Sequence, residues 1–373
     1  MSRYARIPVV ACGVLAAAAV LAGIASAASP PGPTAGSLPG LVWPWPGPTW
    51  PGLPGLPPVG QPPSGGGGSG PPSTGLPGSL VSGSYTNAAG TRKYEVYVPS
   101  RYKAGTPLPL LVALHGCTES IDVFRQLTAL DKLAESAGFI VVFPGQTPSA
   151  NSQGCWNWFS QANMQRGAGE PSVIAGITQT IQQRYSVDKK RTYVLGFSAG
   201  GAMATVMGAT YPDLYAAVGS GSGCEYNGLP CVGAPGPDPV TSGQAAYKAM
   251  GSHARRMPVI VFQGDADTTV VPANADRIVR EWQVTDDWAD DGSSNGSIPL
   301  APISTSNNRA AGGRSYTVTT YGDGHGGELI QYDVVHGMNH AWSGGCACEQ
   351  YADPAGPNES QAMLDFFLRH PMP

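Results

Sequence analysis

Beyond residue 80 the chain repeatedly sets a short, unbroken apolar run ahead of a longer stretch with helical spacing, and this alternation narrows the folds open to it. Residues 94–98 alternate as a strand would, while 108–114 (LPLLVAL), 139–143, 193–195, 216–218 and 259–262 are continuous apolar runs. Runs of this length suit strands covered on both faces, as in a mainly parallel sheet. Between them, residues 123–137, 170–185, 199–210 and 273–282 read as helices. Residues 288–314, polar and rich in Gly, Ser and Asn, read as a surface insertion before a last strand at 329–335. Strands alternating with helices predict an α/β fold: one domain over residues 81–373, a mostly parallel sheet with helices on both faces.

The first 80 residues are of another kind. Arg3 and Arg6, an apolar run over 9–24 and then Ala25-Ser26-Ala27 form the pattern of a secretory signal peptide spanning 1–27. The run falls short of the roughly 20 residues that cross a bilayer. Residues 7–91 contain no charged side chain, and 16 Pro and 14 Gly fall between residues 30 and 80. Such a segment cannot bury a core, so 28–80 reads as a disordered linker or arm. Trp43, Trp45 and Trp50 interrupt it and would suit adhesion to a polymer or cell-wall surface. The chain is only 12% charged with a net charge of −4, which excludes a basic nucleic-acid binder as the default.

Export sets the redox compartment. Cys12 leaves with the signal, and Cys117, Cys155, Cys224, Cys231, Cys346 and Cys348 remain. An even number in an exported chain reads as disulfides. A zinc site is disfavoured because Cys346-Ala347-Cys348 is tighter than ligand spacing allows.

The chemistry centres on Gly196-Phe197-Ser198-Ala199-Gly200, a G-x-S-x-G match with a strand before it and a small-residue helix after it. That setting makes a sharp turn and presents Ser198 at the carboxyl end of the sheet. A serine hydroxyl needs a base, and the base needs an orienting acid. His340, in a glycine-flanked loop just after the last strand, is the candidate base, with His336 as the alternative. The run at 259–262 feeds Asp265 and Asp267, and spacing does not choose between them. The oxyanion hole needs two amides, for which the backbone N–H groups of Ala199 and Cys117 are the candidates. His115 is expected to brace the Cys117 loop through its ring nitrogens.

These blocks resemble the secreted polyhydroxybutyrate-depolymerase-type esterases, relatives of the feruloyl and acetylxylan esterases. The matching residues are Leu114-His115-Gly116-Cys117-Thr118, Cys155-Trp156-Asn157-Trp158-Phe159, Gly196 to Met203, Gly264 to Val270 and Gly337 to Gly345. The resemblance implies an α/β-hydrolase fold and, through G-x-x-D-x-x-V, assigns the acid to Asp267. Gln263 stands where relatives often carry His. Trp156 and Trp342 are the aromatic candidates for contact with substrate. Cys117–Cys155 is the first disulfide expected, tying the oxyanion loop to the aromatic loop. Cys224–Cys231 with Cys346–Cys348 competes with crossed pairing of the same four residues.

The expectation is a secreted, extracellular, monomeric serine carboxylesterase that needs no metal or organic cofactor and binds no nucleic acid. Its substrate would be a short hydroxyalkanoate ester or the polyester itself. The alternatives are a feruloyl or acetylxylan esterase acting on plant cell-wall polysaccharide and, from another class, a non-catalytic polymer-binding module.

Overall fold

The computed structural model describes residues 75–373, so the expected signal peptide and the expected arm up to residue 74 lie outside the described residues. Ten strands form one sheet: β1 (Ser79–Asn87), β2 (Gly90–Val98), β3 (Leu108–Leu114), β4 (Ile140–Pro144), β5 (Val187–Phe197), β6 (Val218–Gly221), β7 (Val259–Gly264), β8 (Pro302–Arg309), β9 (Ser315–Gly322) and β10 (Glu328–Val335). Their spatial order is β1-β2-β4-β3-β5-β6-β7-β10-β9-β8. The run from β4 through β3, β5, β6 and β7 to β10 is parallel. Antiparallel hairpins flank it at both edges.

The continuous apolar runs are explained by cover on both faces. Along β3, Leu110, Val112 and Leu114 enter one core, while Leu111 and Ala113 enter the other. The first core takes residues of α3 (Gly169–Arg184), α4 (Ala199–Thr210), α5 (Pro239–Met250) and α6 (Ala273–Asp291). The second takes residues of α1 (Ile121–Thr128), α2 (Leu130–Ala137) and α7 (Glu359–Arg369). A strand with apolar neighbours above and below shows no polar alternation.

Three expectations need correction. The helix expected over 123–137 is two helices, broken at Ala129 with φ +50°. The carbonyls of Leu127 and Thr128 accept from Cys346 N and Ser360 Oγ, more than 200 positions away, so the break has no local signal. The polar stretch 288–314 is not a plain insertion: α6 runs on to Asp291, and residues 302–309 form edge strand β8. Nearly every β8 side chain is exposed, so its backbone ladder to β9 holds it in place, not burial of apolar surface. Finally, β1 begins at Ser79, slightly ahead of the boundary expected at 81.

Candidate active site

Ser198 sits between the last residue of β5 and the first of α4, with φ 55° and ψ −119°. L-residues rarely adopt positive φ, and the surroundings hold it there. A Cβ on Gly200 would lie 2.0 Å from Leu114 O, and one on Gly196 would lie 2.3 Å from the Gly200 carbonyl carbon. Only glycine lets α4 start this close to β3 and β5. Ser198 N donates to Gly221 O at 2.8 Å, pinning the turn to β6. Ser198 is half-buried between the fully buried Phe197 and Ala199, which leaves its side chain within reach of a ligand.

At the same end of the sheet, the loops after β7 and β10 bring two aspartates to two histidines. His340 Nδ1 donates to Asp267 Oδ2 at 2.7 Å, with Asp267 buried and the imidazole nearly so. Asp267 Oδ1 accepts from Thr269 N at 2.8 Å and Val270 N at 2.9 Å, and its Oδ2 also accepts from Gln263 Nε2 at 3.1 Å. The carboxylate therefore cannot swing away from the ring. His340 lies against Phe197 at 4.8 Å between centroids, with Tyr351 at 6.2 Å. Phe197 directly precedes Ser198, and with Nδ1 engaged, Nε2 is the ring nitrogen that remains; among the described residues no hydrogen bond joins it to Ser198 Oγ.

The other pair is separate. His336 Nδ1 donates to Asp265 Oδ2 at 2.8 Å, Gly337 N donates to Asp265 Oδ1 at 2.6 Å, and His336 Nε2 meets Thr317 Oγ1 at 2.9 Å. Partial burial would raise the Asp265 carboxyl, but bonds from His336 and Gly337 outweigh it and hold Asp265 below the usual carboxylate range. Both His336 nitrogens are occupied in bracing the loop. The competition that spacing left open is thus divided between two pairs.

The loop after β3 carries the second candidate amide, that of Cys117. His115 is buried, its Nδ1 donates to Gly116 O at 2.7 Å, and its Nε2 accepts from Gln146 N at 3.0 Å. Burial lowers its pKa to about 4, so it stays neutral and acts as the brace expected of it. Among the described residues neither Cys117 N nor Ala199 N has a protein acceptor. For Ala199 this follows from its place in the first turn of α4. Cys117 is bonded to Cys155, Cys224 to Cys231 and Cys346 to Cys348, so the crossed pairing does not occur.

The two tryptophans expected to touch substrate do not face the site. Trp156 is fully buried against His115, 5.6 Å between centroids. Trp342 is buried edge-on to Phe124 and Phe197, and its Nε1 donates to Ser360 Oγ at 3.0 Å. Alternation in an extended segment says which residues share a side, not which side is solvent. Trp156 instead packs beside His115 in the loop after β3, and Trp342 packs against Phe197 at the end of β5. Tyr351 and Glu119 are contacts of the site that sequence reasoning did not place there, while Gln263, noted for standing where relatives often carry His, bonds Asp267. A cavity of about 450 Å³ lined by Met164, Arg166, Tyr226 and Lys248 includes none of Ser198, Asp267 or His340.

Comparison with known proteins identifies the family. The family model "Esterase PHB depolymerase" matches residues 92–295. The chain belongs to this family. It is 32% identical over 259 residues to poly(3-hydroxyalkanoate) depolymerase C of Paucimonas lemoignei, an alignment covering 66% of this chain and 61% of that protein. It is 30% identical over 303 residues to feruloyl esterase B of Neurospora crassa, covering 76% of this chain and 89% of that protein. Acetylxylan esterase A of Talaromyces purpureogenus is 34% identical over 218 residues, covering 54% of this chain and 55% of that protein. Among solved structures, acetyl xylan esterase from Aspergillus awamori superposes with a TM-score of 0.58 at 27% identity, covering 70% of this chain and 94% of that one. The fold is that of the α/β-hydrolase esterases. The chain thus spans under two thirds of the depolymerase and nearly all of the feruloyl esterase.

Proposed function

We propose that this family member is a secreted serine carboxylesterase acting through a Ser198–His340–Asp267 triad. His340 Nε2 takes the Ser198 proton as the hydroxyl oxygen attacks the ester carbonyl, then delivers it to the leaving alcohol. Asp267 holds the Nδ1–H tautomer and stabilises the imidazolium. The Ala199 and Cys117 amides receive the oxyanion, and water discharges the acyl-enzyme. The observation that carries this reading is the 2.7 Å Asp267–His340 bond on an imidazole packed at a tilt against Phe197, the residue beside the strained serine. The disulfides suit export, and no described helix is long and apolar enough to cross a membrane.

For substrate we favour short hydroxyalkanoate esters or their polymer, after the depolymerase relative. A feruloyl or acetylxylan esterase is the second reading, favoured by the 89% coverage of feruloyl esterase B. Adhesion to a polymer or cell-wall surface through the arm at residues 28–80 would fit either. A panel of p-nitrophenyl butyrate, a hydroxybutyrate oligomer, methyl ferulate and acetylated xylan separates the two. Ser198→Ala should cut turnover of the preferred ester by about 10³-fold or more. Undiminished turnover would remove Ser198 as nucleophile.

A further inference from the structure

Glu119 lies two residues past Cys117, just ahead of α1, and is almost fully buried. Its Oε2 accepts the Gly116 N–H at 2.6 Å, while its Oε1 is buried with no partner. A Cβ on Gly116 would lie 3.1 Å from that Oε2 and 3.2 Å from the Phe197 ring, so the carboxyl and the ring that packs against His340 both crowd the loop at Gly116. The Gly116 carbonyl is held from its other side by His115 Nδ1, and Thr118 N donates to Gln153 O at 2.7 Å. Peptide units are planar and trans. Fixing Gly116 N and Gly116 O therefore orients both peptide planes that meet at Gly116, and the second of these carries the Cys117 N–H.

We propose that Glu119 is a positioning residue of the oxyanion loop: its carboxyl fixes Gly116 and so aims the Cys117 N–H at the reacting carbonyl. The proposal rests on the esterase reading above. It adds a distinct consequence of charge. Burial pushes the Glu119 carboxyl up to about 8; the Gly116 bond pulls it down and Glu349 pushes it further up. The ionisable group acting on it is Glu349; His115, bonded to the Gly116 carbonyl, is kept neutral by burial. At neutral pH Glu119 then carries its proton and sets no field against an oxyanion. Once it ionises, a negative charge stands behind the amide that must stabilise negative charge, and acylation slows.

Two variants separate these effects, with p-nitrophenyl butyrate as the probe. Glu119→Gln keeps an oxygen acceptor for Gly116 and cannot ionise. It should hold kcat at neutral pH within about 3-fold of the parent and should lose the parent's decline above about pH 8, because one neutral acceptor replaces another. Glu119→Ala frees Gly116 and should lower kcat by about 10- to 100-fold with KM little changed, the scale of a misplaced catalytic group. Parent kcat in Glu119→Ala would overturn the positioning role. An alkaline decline in Glu119→Gln equal to the parent's would overturn the charge effect, and it remains readable if the alanine variant does not fold. Parental turnover that Ser198→Ala abolishes establishes esterolysis separately, so either failure here leaves that reading standing.

Discussion

Replacing Asp267 with asparagine isolates the orienting acid. One carboxylate oxygen accepts from the Thr269 and Val270 amides, so the Asn oxygen must stay there to keep those two donors satisfied. The new NH2 group then faces His340 Nδ1 and Gln263 Nε2, where the carboxylate oxygen had accepted from both. Two donors cannot share that position, so Gln263 is displaced and His340 is driven to accept at Nδ1. Its proton moves to Nε2, the atom that must take the serine proton. In the Ser-His-Asp template a tautomer inverted in this way costs about 10⁴-fold in kcat. That corresponds to about 5.4 kcal/mol of barrier. The assay is kcat on p-nitrophenyl butyrate at neutral pH, with circular dichroism to establish folding. Asp265→Asn is the control: its partners brace a loop from a position about 41% exposed, and it should cost under about 10-fold. A folded Asp267→Asn with near-parental kcat, or a larger loss in Asp265→Asn, would refute the assignment.

Three further outcomes follow from the same contacts. Cys155→Ala opens a bridge spanning 38 positions and should lower stability by about 3–4 kcal/mol in chemical denaturation; kcat should fall with it because the proposed oxyanion amide is that of Cys117, and an unchanged kcat would detach that amide from the reaction. Trp156→Phe should lower Tm and leave KM for esters unchanged, since the ring is buried; a KM effect without a Tm effect would restore it to the cleft. Burial raises Glu119 to about 8 and Glu225 and Asp333 to about 7, so the folded chain keeps protons that the unfolded chain releases near the ordinary values of 4.5 and 3.8. This contribution is complete below those values and is lost as pH rises towards 7 and 8. His115, lowered to about 4, acts in the opposite sense only below its ordinary 6.5. Tm should therefore fall from about pH 6.5 to 8, each group still protonated contributing a slope of up to ~1.4 kcal/mol per pH unit; a rise across that window would contradict the burial argument.

How much of this was legible in the sequence depended on whether the signal was local. Strand β3 and helix α4 were readable to the residue because an apolar run or a small-residue helix states its own burial. Strand β8 was not, since PISTSNNR has no apolar face and exists as a strand only through β9. Ser198 was legible because its strained turn demands glycines at fixed offsets. Asp265 and Asp267 were not separable by spacing, since both follow the same strand and each has its own histidine. Glu119 gave no signal beyond lying close after Cys117. The role proposed for it rests on a bond to Gly116 and on burial, with Glu349 from a distant segment acting on it.

The most direct test of the central claim is to titrate the enzyme with diethyl p-nitrophenyl phosphate and map the modified peptide by mass spectrometry. A single phosphoryl adduct on Ser198, formed in step with loss of ester turnover and much slowed in Asp267→Asn, is the predicted result. An adduct on another residue, or full turnover after Ser198 is labelled, would contradict it.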